Sequence, residues 1–502
     1  MKLSQIFLIF IVSLVIGCKT DTKDKTPQAN EKPLAKLTEV DALTMVSEIY
    51  DTYQNSEEFL VKGLFYPANF LSQDFNLWNA EGANYKTFNI PTDNNNINKY
   101  WILSYDGIIK ANKALATLNT LASDKTIAPE LAAQLKAECY FNRGLFYFLL
   151  AENFGNVPIV NNTLNTEPIS EPNASQEAVF KYAAADFEKA QTDLPYVYKD
   201  TIDIGKATKG AALAYLGASY MWLKDYDKAI VAFKKLNDHY ELMPNFLDIH
   251  AFKHQNNKES IFEIQFKSND NLGWGRDNYS TFIQSFALPN EVGGAGLAYV
   301  NSSFIKTFEP NDQRLKATVI AKGQTHPDTS IHISTYNSVQ EKFHGMNTLG
   351  TQKKPWLGDD GTRSGYYGIK TWRAPDPNAS ASAIFSKANV ILLRYGQVLL
   401  DLASCYYKTG ALDEAQQTLN KVRKRAGLKA VFPTDMMPAL LNEYRHELAG
   451  EYSLWYVLRR SGNHIDYIKS NFNITIPKGH DLLPMPQEQL RLNKNLKQNF
   501  GY

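Results

Sequence analysis

Apolar and small residues recur at helical spacing in two distant stretches of the chain. The first stretch, 207–236, reads as two helices joined at Lys224–Asp225, with tetratricopeptide spacing at Leu213, Leu216, Gly217, Tyr220, Ala229 and Phe233. The second, 399–422, turns near Thr409-Gly410 and repeats the spacing at Leu399, Leu402, Ala403, Tyr406, Ala415, Leu419 and Val422. One such hairpin cannot bury its own apolar face, so two copies in register predict a repeat-built helical scaffold.

Helical periodicity predicts further helices on either side of these hairpins. They are expected at 37–65 (with Leu43, Val46, Ile49, Tyr50 and Tyr53 on one face), 98–121, 129–153, 387–408, 412–426 and 436–460. Helix 129–153 becomes apolar all round, which is typical of a buried helix. Its Phe141, Gly144, Leu145 and Phe148, with Ala183, Phe187 and Ala190 further on, predict a third, interrupted hairpin. Trp101 lies on a regular helical face and is predicted to be core.

The remaining sequence has little helical period. Glu259–Phe266 alternates and predicts a strand, with further short strands expected at Val319–Ala321, 331–336 and Tyr367–Thr371. Residues 66–97 and 267–386 are rich in aromatic and small polar residues, and irregular stretches of this length are usually functional. The predicted fold is mostly α, with tetratricopeptide-like hairpins as the scaffold and a loop-rich ligand-binding half that contains a few short strands.

The amino terminus predicts export. Lys2 precedes an apolar run from Leu3 to Ile16, which is too short for a membrane span, and Val15-Ile16-Gly17-Cys18 is similar to the lipobox of bacterial lipoproteins. We therefore expect a signal peptide at 1–17, lipid on Cys18, a polar tether at 18–36 and a single domain at 37–502. Within that domain the scaffold is expected at about 37–65, 98–240 and 387–460.

Charge and cysteine content narrow the function. The 53 Lys and Arg nearly balance the 52 Asp and Glu, giving a net charge of +1, so we expect no nucleic-acid partner. With 44% hydrophobic and 21% charged residues the chain is globular rather than disordered. Cys139 and Cys405 lie in apolar helical patterns and are predicted to be reduced core residues.

Motifs for catalysis or metal binding are missing from the sequence. Gly293–Gly296 lacks the Lys-Ser/Thr that completes a phosphate-binding loop. His250 and His254 are four residues apart, but Ala251 stands where a zinc protease has Glu, and we interpret both as incidental surface histidines. Asp359-Asp360-Gly361 breaks the order of a calcium loop and is interpreted as a solvated turn. We expect no catalytic residues, metal or cofactor.

Aromatic residues in the irregular stretches are the informative signal. An aromatic face can stack on a sugar ring while neighbouring polar groups bond its hydroxyls. The predicted ligand contacts are Trp78, Trp274, Arg276, Asn278, Tyr279 and Trp356. Phe282, Asn76, Asn79 and Asp277 lie close to these residues in sequence. For each ring the alternative is that it packs beneath its own loop.

Several motifs together resemble the SusD/RagB family of Bacteroidetes outer-membrane lipoproteins. Besides the lipobox, they are Phe154-Gly155-Asn156-Val157-Pro158 after an aromatic helix, Glu259–Glu263, Leu392–Ala403, Leu419–Gly427, Leu483-Pro484-Met485-Pro486-Gln487 and Gln498-Asn499-Phe500-Gly501-Tyr502. The family's penultimate-helix motif keeps Arg445, Glu447, Leu448, Glu451, Leu458 and Arg460. It departs at Tyr452, Leu454 and Val457, where the family usually has Gly, Arg and Asp.

This resemblance implies about four tetratricopeptide-like hairpins carrying a variable ligand half. It implies a cell-surface protein without catalytic activity that captures glycans, or sometimes peptides, and works with a SusC-like TonB-dependent transporter. The family's binding residues do not form a fixed motif, so the predicted contacts depend on the loop aromatics alone. A peptide-binding RagB-like component and a secreted glycosidase stay open, whereas the long aromatic loops disfavour a pure tetratricopeptide adaptor.

Overall fold

Antiparallel helical hairpins make up most of the described chain. The computed structural model describes residues 37–77, 80–161, 169–266, 298–321, 324, 326–329, 366–370 and 388–502. The helices are α1 (Glu39–Asp51), α2 (Tyr66–Phe70), α3 (Ala80–Thr87), α4 (Asn95–Ser123), α5 (Pro129–Phe154), α6 (Gln176–Asp193), α7 (Lys209–Trp222), α8 (Tyr226–Lys234), α9 (Ser302–Ile305), α10 (Gln313–Thr318), α11 (Tyr395–Lys408), α12 (Leu412–Arg425), α13 (Met437–Leu448), α14 (Leu454–Ser461), α15 (His464–Phe472) and α16 (Gln487–Leu492). A π-helix spans Ser56–Phe65, and 3-10 turns span Thr201–Asp203, Phe246–Asp248 and Phe252–His254.

Short strands join the helical part at a few places. They are β1 (Phe75–Leu77), β2 (Val157–Pro158), β3 (Asn173–Ala174), β4 (Ser260–Ile264), β5 (Ala298–Val300), β6 (Val319–Ala321), β7 (Tyr366–Gly368) and β8 (Val390–Arg394). The described pairs, all antiparallel, are β1–β5, β2–β3, β4–β8 and β6–β7. The mostly helical fold with a few short strands is confirmed. Within the described residues, no helix is both long enough and apolar enough to cross a bilayer.

The hairpin α7–α8 shows why its sequence has that spacing. A Cβ on Gly217 would lie 2.5 Å from the ring of Phe233, so only glycine lets the helices approach this closely. Phe233 is fully buried between them, and Lys224 takes a positive φ of 60° in the turn. The hairpin α11–α12 turns at Gly410, whose φ is 84°. Both predicted hairpins are confirmed.

The interrupted hairpin is also present, formed by α5 and α6. A Cβ on Gly144 would lie 3.1 Å from the ring of Phe187, so a small residue again sits opposite an aromatic one. Every residue of α5 from 144 to 154 is buried, as the all-round apolar pattern predicts. Trp101, Cys139 and Cys405 are buried, and both cysteines are free thiols.

Two predicted helices are wrong in part, because long-range contacts override the local pattern. The stretch 387–408 begins with strand β8, since its Val-Ile-Leu-Leu run pairs with β4 and becomes helical only at Tyr395. The stretch 436–460 is two helices, α13 and α14. They are separated at Ala449–Ser453, where Gly450 adopts a φ of 80°.

The predictions near the amino end need similar correction. In α1 the residues Val46 and Ile49 are buried as expected, but Leu43 is 38% exposed, and the regular α-helix ends at Asp51 before the π-helix. Part of the stretch 66–97 is regular, comprising α2, β1 and α3, and residues 66–75 are all buried. A segment that is buried on every side shows no period of apolar and polar residues, which is why the sequence pattern missed α2.

The strand predictions agree with the structure where it describes them. Glu259–Phe266 contains β4, Val319–Ala321 is β6, and Tyr367–Thr371 overlaps β7. Residues 331–336 lie outside the described residues.

Candidate ligand-binding site

The predicted binding residues lie outside the part of the chain that the structure describes. They are Trp78, Trp274, Arg276, Asn278, Tyr279 and Trp356, together with the lipid acceptor Cys18. These assignments therefore stay predictions. The structure does place the residues from which each of the predicted binding segments leaves and to which it returns.

Strand β1 ends at Leu77, directly before Trp78. It pairs with β5, which begins directly after the segment 267–297, and the register sets Leu77 opposite Ala298. Asn301 N–H also donates to the carbonyl of Asp74 at 2.8 Å. The chain before Trp78 and the chain after 267–297 therefore lie side by side.

Strand β7 follows the segment 330–365, which contains Trp356, and pairs with β6. A Cβ on Gly368 would lie 2.6 Å from the ring of Phe75, so β7 packs directly on β1. We call the four strands β1, β5, β6 and β7 the strand base. It brings together described ends of the three segments that carry all six predicted ligand contacts.

The pair β4–β8 holds two more ends. The segment 267–297 leaves after Phe266, whose N–H donates to Asn389 Oδ1 at 2.9 Å, and the segment 371–387 returns just before that asparagine. Asn389 Nδ2 donates in turn to Glu263 Oε1 at 2.9 Å and to Gln265 Oε1 at 2.7 Å. One asparagine side chain therefore fixes the start of one segment beside the end of another.

A buried cluster of charges connects the strand base with β4–β8. We call it the ion cluster, and it consists of Glu259, Lys370, Arg394, Arg425, Glu447 and Glu451. Arg394, at the end of β8, donates to Glu259 at 2.8 Å, to Glu447 at 2.7 Å and to Glu451 at 2.8 Å. Lys370, two residues after β7, donates to Glu451 Oε1 at 2.7 Å.

The ion cluster also holds the break between α13 and α14. Lys370 Nζ donates to the carbonyl of Glu447 at 2.6 Å, and Arg394 Nη2 donates to the same carbonyl at 2.8 Å. Asn69 Oδ1 accepts the N–H of Gly450 at 2.8 Å. Carbonyls at a helix end need such partners. Partners supplied by distant parts of the chain therefore allow the helix to stop here.

Charge in the cluster is balanced, with three carboxylates facing three cations. Burial alone would raise the pKa of Glu447, but Arg425, Arg394 and Arg314 outweigh it and lower the pKa to about 2. Burial lowers the pKa of Lys370 to about 8, a fall that Glu451 partly opposes. A balanced set of buried and mutually paired charges acts as a structural support.

Arginine–carboxylate pairs continue beyond the cluster toward α10. Arg314 Nη1 donates to Glu443 Oε2 at 2.7 Å and to Glu447 Oε2 at 3.3 Å, and its Nη2 donates to Asp312 Oδ2 at 2.7 Å. Arg423 Nη1 donates to Glu443 Oε1 at 2.6 Å. Helices α10, α12 and α13 are thereby joined to the frame under the strand base.

His250 corrects one sequence prediction. It is not a surface residue, because it packs against the ion cluster with Nε2 3.4 Å from Glu451 Oε1, and burial lowers its pKa. His254 ends a separate 3-10 turn, so the two histidines do not share a helix face. In the described ranges, no three His, Cys, Asp or Glu residues are grouped so as to hold a metal ion.

The departures from the family motif are buried and largely apolar. Leu454 is fully buried, Val457 is 3% exposed and Tyr452 is 9% exposed. The start of α14 is therefore held by apolar packing at the positions where the family usually has an Arg and an Asp.

Lys370 and Arg394 are the structural residues that sequence reasoning missed. Arg394 is the last residue of β8 and Lys370 follows β7 by two residues, so a cation adjoining a buried strand is the local signal of each role. Their carboxylate partners lie 53 to 135 residues away along the chain, so the pattern of any one segment cannot pair them.

Sequence profiles of SusD-like proteins match both the amino-terminal and the carboxy-terminal part of the chain. A sequence profile described as the SusD family matches residues 258–502, and one described as starch-binding associating with outer membrane matches residues 21–221. SusD-like protein P2 of Formosa agariphila is 24% identical over 445 residues, which is 82% of this chain and 82% of that protein.

Solved structures share the fold. A laminarin binding SusD-like protein superposes with a TM-score of 0.75 and 22% identity, over 93% of this chain and 100% of the other. Surface glycan-binding protein A of Bacteroides thetaiotaomicron, solved with laminarihexaose, gives a TM-score of 0.72 and 19% identity, over 92% of this chain and 100% of the other.

Proposed function

Because this chain belongs to the SusD-like family, we propose that it is a cell-surface lipoprotein that binds a polysaccharide or oligosaccharide and delivers it to a SusC-like TonB-dependent transporter in the outer membrane. The observation that most supports glycan binding is the shared fold, over 92% of the chain, with a surface glycan-binding protein that was solved with laminarihexaose. The profile matching residues 21–221 adds a description of starch binding and outer-membrane association.

The strand base supports a common location for the ligand contacts. It holds the described ends of the segments that contain Trp78, Trp274 and Trp356. Rings presented from one rigid base can stack on successive sugar units, and Arg276 and Asn278 can bond their hydroxyls. Such a surface buries only part of a long glycan, so we expect moderate affinity and no chemical change of the ligand.

Lipid attachment at Cys18 is the second part of the proposal. The apolar run before it resembles a lipoprotein signal, and acylation would hold the mature chain at the membrane without a spanning helix. We expect Cys18→Ser to abolish labelling by a fatty-acid analogue and to release the protein from the membrane fraction. Undiminished labelling of that variant would show that the lipid is attached elsewhere.

The glycan site is tested by affinity gel electrophoresis with a panel of polysaccharides that includes laminarin and starch. We expect at least one polysaccharide to retard the wild-type chain, and Trp274→Ala or Trp356→Ala to abolish the retardation without changing the circular dichroism spectrum. Phe432→Ala is a matched control, because Phe432 is an aromatic residue of the scaffold that is 68% exposed.

Other outcomes of the same screen lead to other functions. Normal retardation of both tryptophan variants would place the glycan elsewhere on the chain. Binding to oligopeptides and to none of the polysaccharides would indicate a RagB-like peptide receptor. Release of reducing sugar on prolonged incubation would identify a glycosidase.

A further inference from the structure

A groove opens on the helical side of the molecule, between α1 and the turn at residues 201–206. Its volume is about 850 Å³, and its floor includes Leu135 and Glu138 of α5. Ile264, the last residue of β4, and Gln265 after it also line the groove. The volume lies in the range of sites that bind small molecules or short peptide segments.

The walls of the groove are fixed by specific contacts. Gln54 Nε2 donates to the carbonyl of Gln265 at 2.9 Å, and the N–H of Ala207 donates to Tyr50 Oη at 3.0 Å. Gly205 has a φ of 97°, and a Cβ there would lie 2.2 Å from Gln265 Cγ, so the turn rests directly on that residue. The groove is therefore built into the fold before any partner arrives.

Aliphatic side chains stand exposed at the mouth of the groove. Ile202 is 89% exposed, Ile204 is 47% exposed, and Leu43 on the opposite wall is 38% exposed. Val40, one turn before Leu43 on α1, is 69% exposed. Covering these side chains would contribute about 25 cal/mol for each Å² removed from water.

The lining is acidic as well as apolar. Glu48, Asp51, Glu138 and Asp203 line the groove together with a single cation, Lys206. Lys206 pairs with Asp203 at 2.7 Å, whereas neither Glu48 nor Asp51 forms an ion pair with any residue in the described ranges. The groove therefore carries an excess of negative charge beside its aliphatic rim.

At the floor, Glu138 is fully buried and accepts a hydrogen bond from Tyr50 Oη at 3.0 Å. Burial raises the pKa of its carboxyl, which Lys206 partly opposes. Gln134 Nε2 also donates to Glu138 Oε1 at 3.3 Å, so both carboxylate oxygens have partners and Glu138 belongs to the fixed floor of the groove.

We propose that the groove between α1 and residues 201–206 is the docking site for a basic, aliphatic peptide segment, one with Lys or Arg beside Leu, Ile or Val, and that this segment is an extracellular loop of the partner transporter. The assignment to the transporter rests on the proposed function. The charge of the groove selects the cation, and the rim of Leu43, Ile202 and Ile204 selects the aliphatic neighbours.

A glycan is a poor occupant of the same groove. The exposed rim is made of isoleucine and leucine, which offer no flat face for a sugar ring, and Tyr50 and Tyr53 are the aromatic residues in the lining. Tyr53 is fully buried, and Tyr50 is engaged with Glu138. The groove and the strand base are therefore assigned to different partners.

The test is fluorescence polarisation of the full mature chain with a labelled peptide, Gly-Ser-Leu-Arg-Ile-Lys-Leu-Ser-Gly. Two matched peptides replace either both cations by Glu or all three aliphatic residues by Ser. We expect the first peptide to bind at least about tenfold more tightly than either control, and added salt to weaken it. Equal binding of the three peptides, or no binding, would overturn the proposal.

Protein variants locate the interaction. Ile202→Ser and the pair Glu48→Gln/Asp51→Asn should each weaken peptide binding by about fivefold or more. The controls Val231→Ser and Asp227→Asn change exposed residues of α8, outside the groove, and should leave binding unchanged. If the groove variants bind as the wild type does, the peptide sits elsewhere and the proposal is wrong.

Two further measurements separate the possible sources of the segment. The groove variants should lose co-purification with the transporter from outer membranes but keep glycan retardation, whereas failure of the wild-type chain in either assay would count against the proposed function even if the peptide binds. A synthetic peptide of residues 19–36 that displaces the probe would make the chain's own tether the occupant and would overturn the assignment to the transporter.

Discussion

Hairpin α7–α8 and the ion cluster stabilise the same unit by different means. In the hairpin, Gly217 faces the buried ring of Phe233, and the free energy comes from apolar burial and close packing. In the ion cluster, three acidic side chains and three basic ones replace apolar packing at the centre of the fold.

The difference lies in what each region tolerates. Apolar packing has no direction, so a hairpin can lose part of its fit and still close. A buried charge set has no partial form, because each ion that loses its partner keeps the full cost of leaving water. The hairpins therefore depend on apolar burial, whereas the cluster fixes how distant parts of the chain are joined.

The largest expected effect comes from removing one charge at the centre of the cluster. Glu447→Gln keeps the size of the side chain but leaves Arg394, Arg425 and Arg314 without a shared carboxylate. We expect the free energy of unfolding to fall by about 3–5 kcal/mol, as measured by denaturant titration. Glu414→Gln, at an exposed site on α12, should change it by less than about 0.5 kcal/mol. A similar small effect of both variants would show that the cluster contributes little.

A smaller effect is expected in the hairpin. Gly217→Ala places a methyl group 2.5 Å from ring atoms of Phe233, and we expect a loss of about 1–3 kcal/mol despite the better helix propensity of alanine. Phe233→Leu should cost less in the Gly217→Ala background than in the wild type, since the smaller side chain makes room for the added methyl group. If denaturant titration shows the double variant to be no more stable than the sum of the single variants predicts, the two positions are not in steric conflict.

The smallest effect is on the pH dependence of stability. Burial lowers the pKa of His446 to about 2, helped by Arg314, Arg445 and Arg423, so the folded protein keeps this ring neutral. The unfolded chain binds its proton near pH 6.5, so stability is lost as the pH falls below that value. His446→Gln should reduce the slope between pH 6 and pH 5 by about 1.4 kcal/mol per pH unit at most.

Below pH 5 the carboxylates of the ion cluster dominate the pH dependence of the free energy of unfolding. Glu447 has a pKa of about 2 in the folded protein, against an ordinary value of 4.5, so its contribution is present above pH 4.5 and is lost as the pH falls toward 2.

An unchanged slope in the His446 variant between pH 6 and pH 5, measured by denaturant titration at each pH, would show that this histidine titrates normally.

Sequence reasoning reached the hairpins because their information is local. Gly217 and Phe233 lie 16 residues apart and the tetratricopeptide period links them directly. Strand β8 and the break after α13 were missed, because each is decided by residues far along the chain. β8 follows from pairing with β4, and the break follows from hydrogen-bond partners at Asn69, Lys370 and Arg394.

The sequence predicted which residues could contact a ligand, but it did not predict how the segments that carry them are brought together. Aromatic content singled out the segments around Trp78, Trp274 and Trp356, and these contacts stay predictions. That their neighbouring residues share the strand base follows from pairings such as Leu77 with Ala298, which lie more than 200 residues apart. No periodic pattern encodes such a pairing.

Placing the segment ends on the strand base has a consequence for how this protein diversifies. The free energy of closing a chain segment between two fixed points grows only with the logarithm of its length, about 0.6 kcal/mol for each doubling. Insertions, deletions and exchanges within 267–297 or 330–365 are therefore inexpensive as long as Lys370, Arg394 and their partners are kept. Because the ion cluster fixes the frame without using these segments, their length and sequence can change at little cost to stability.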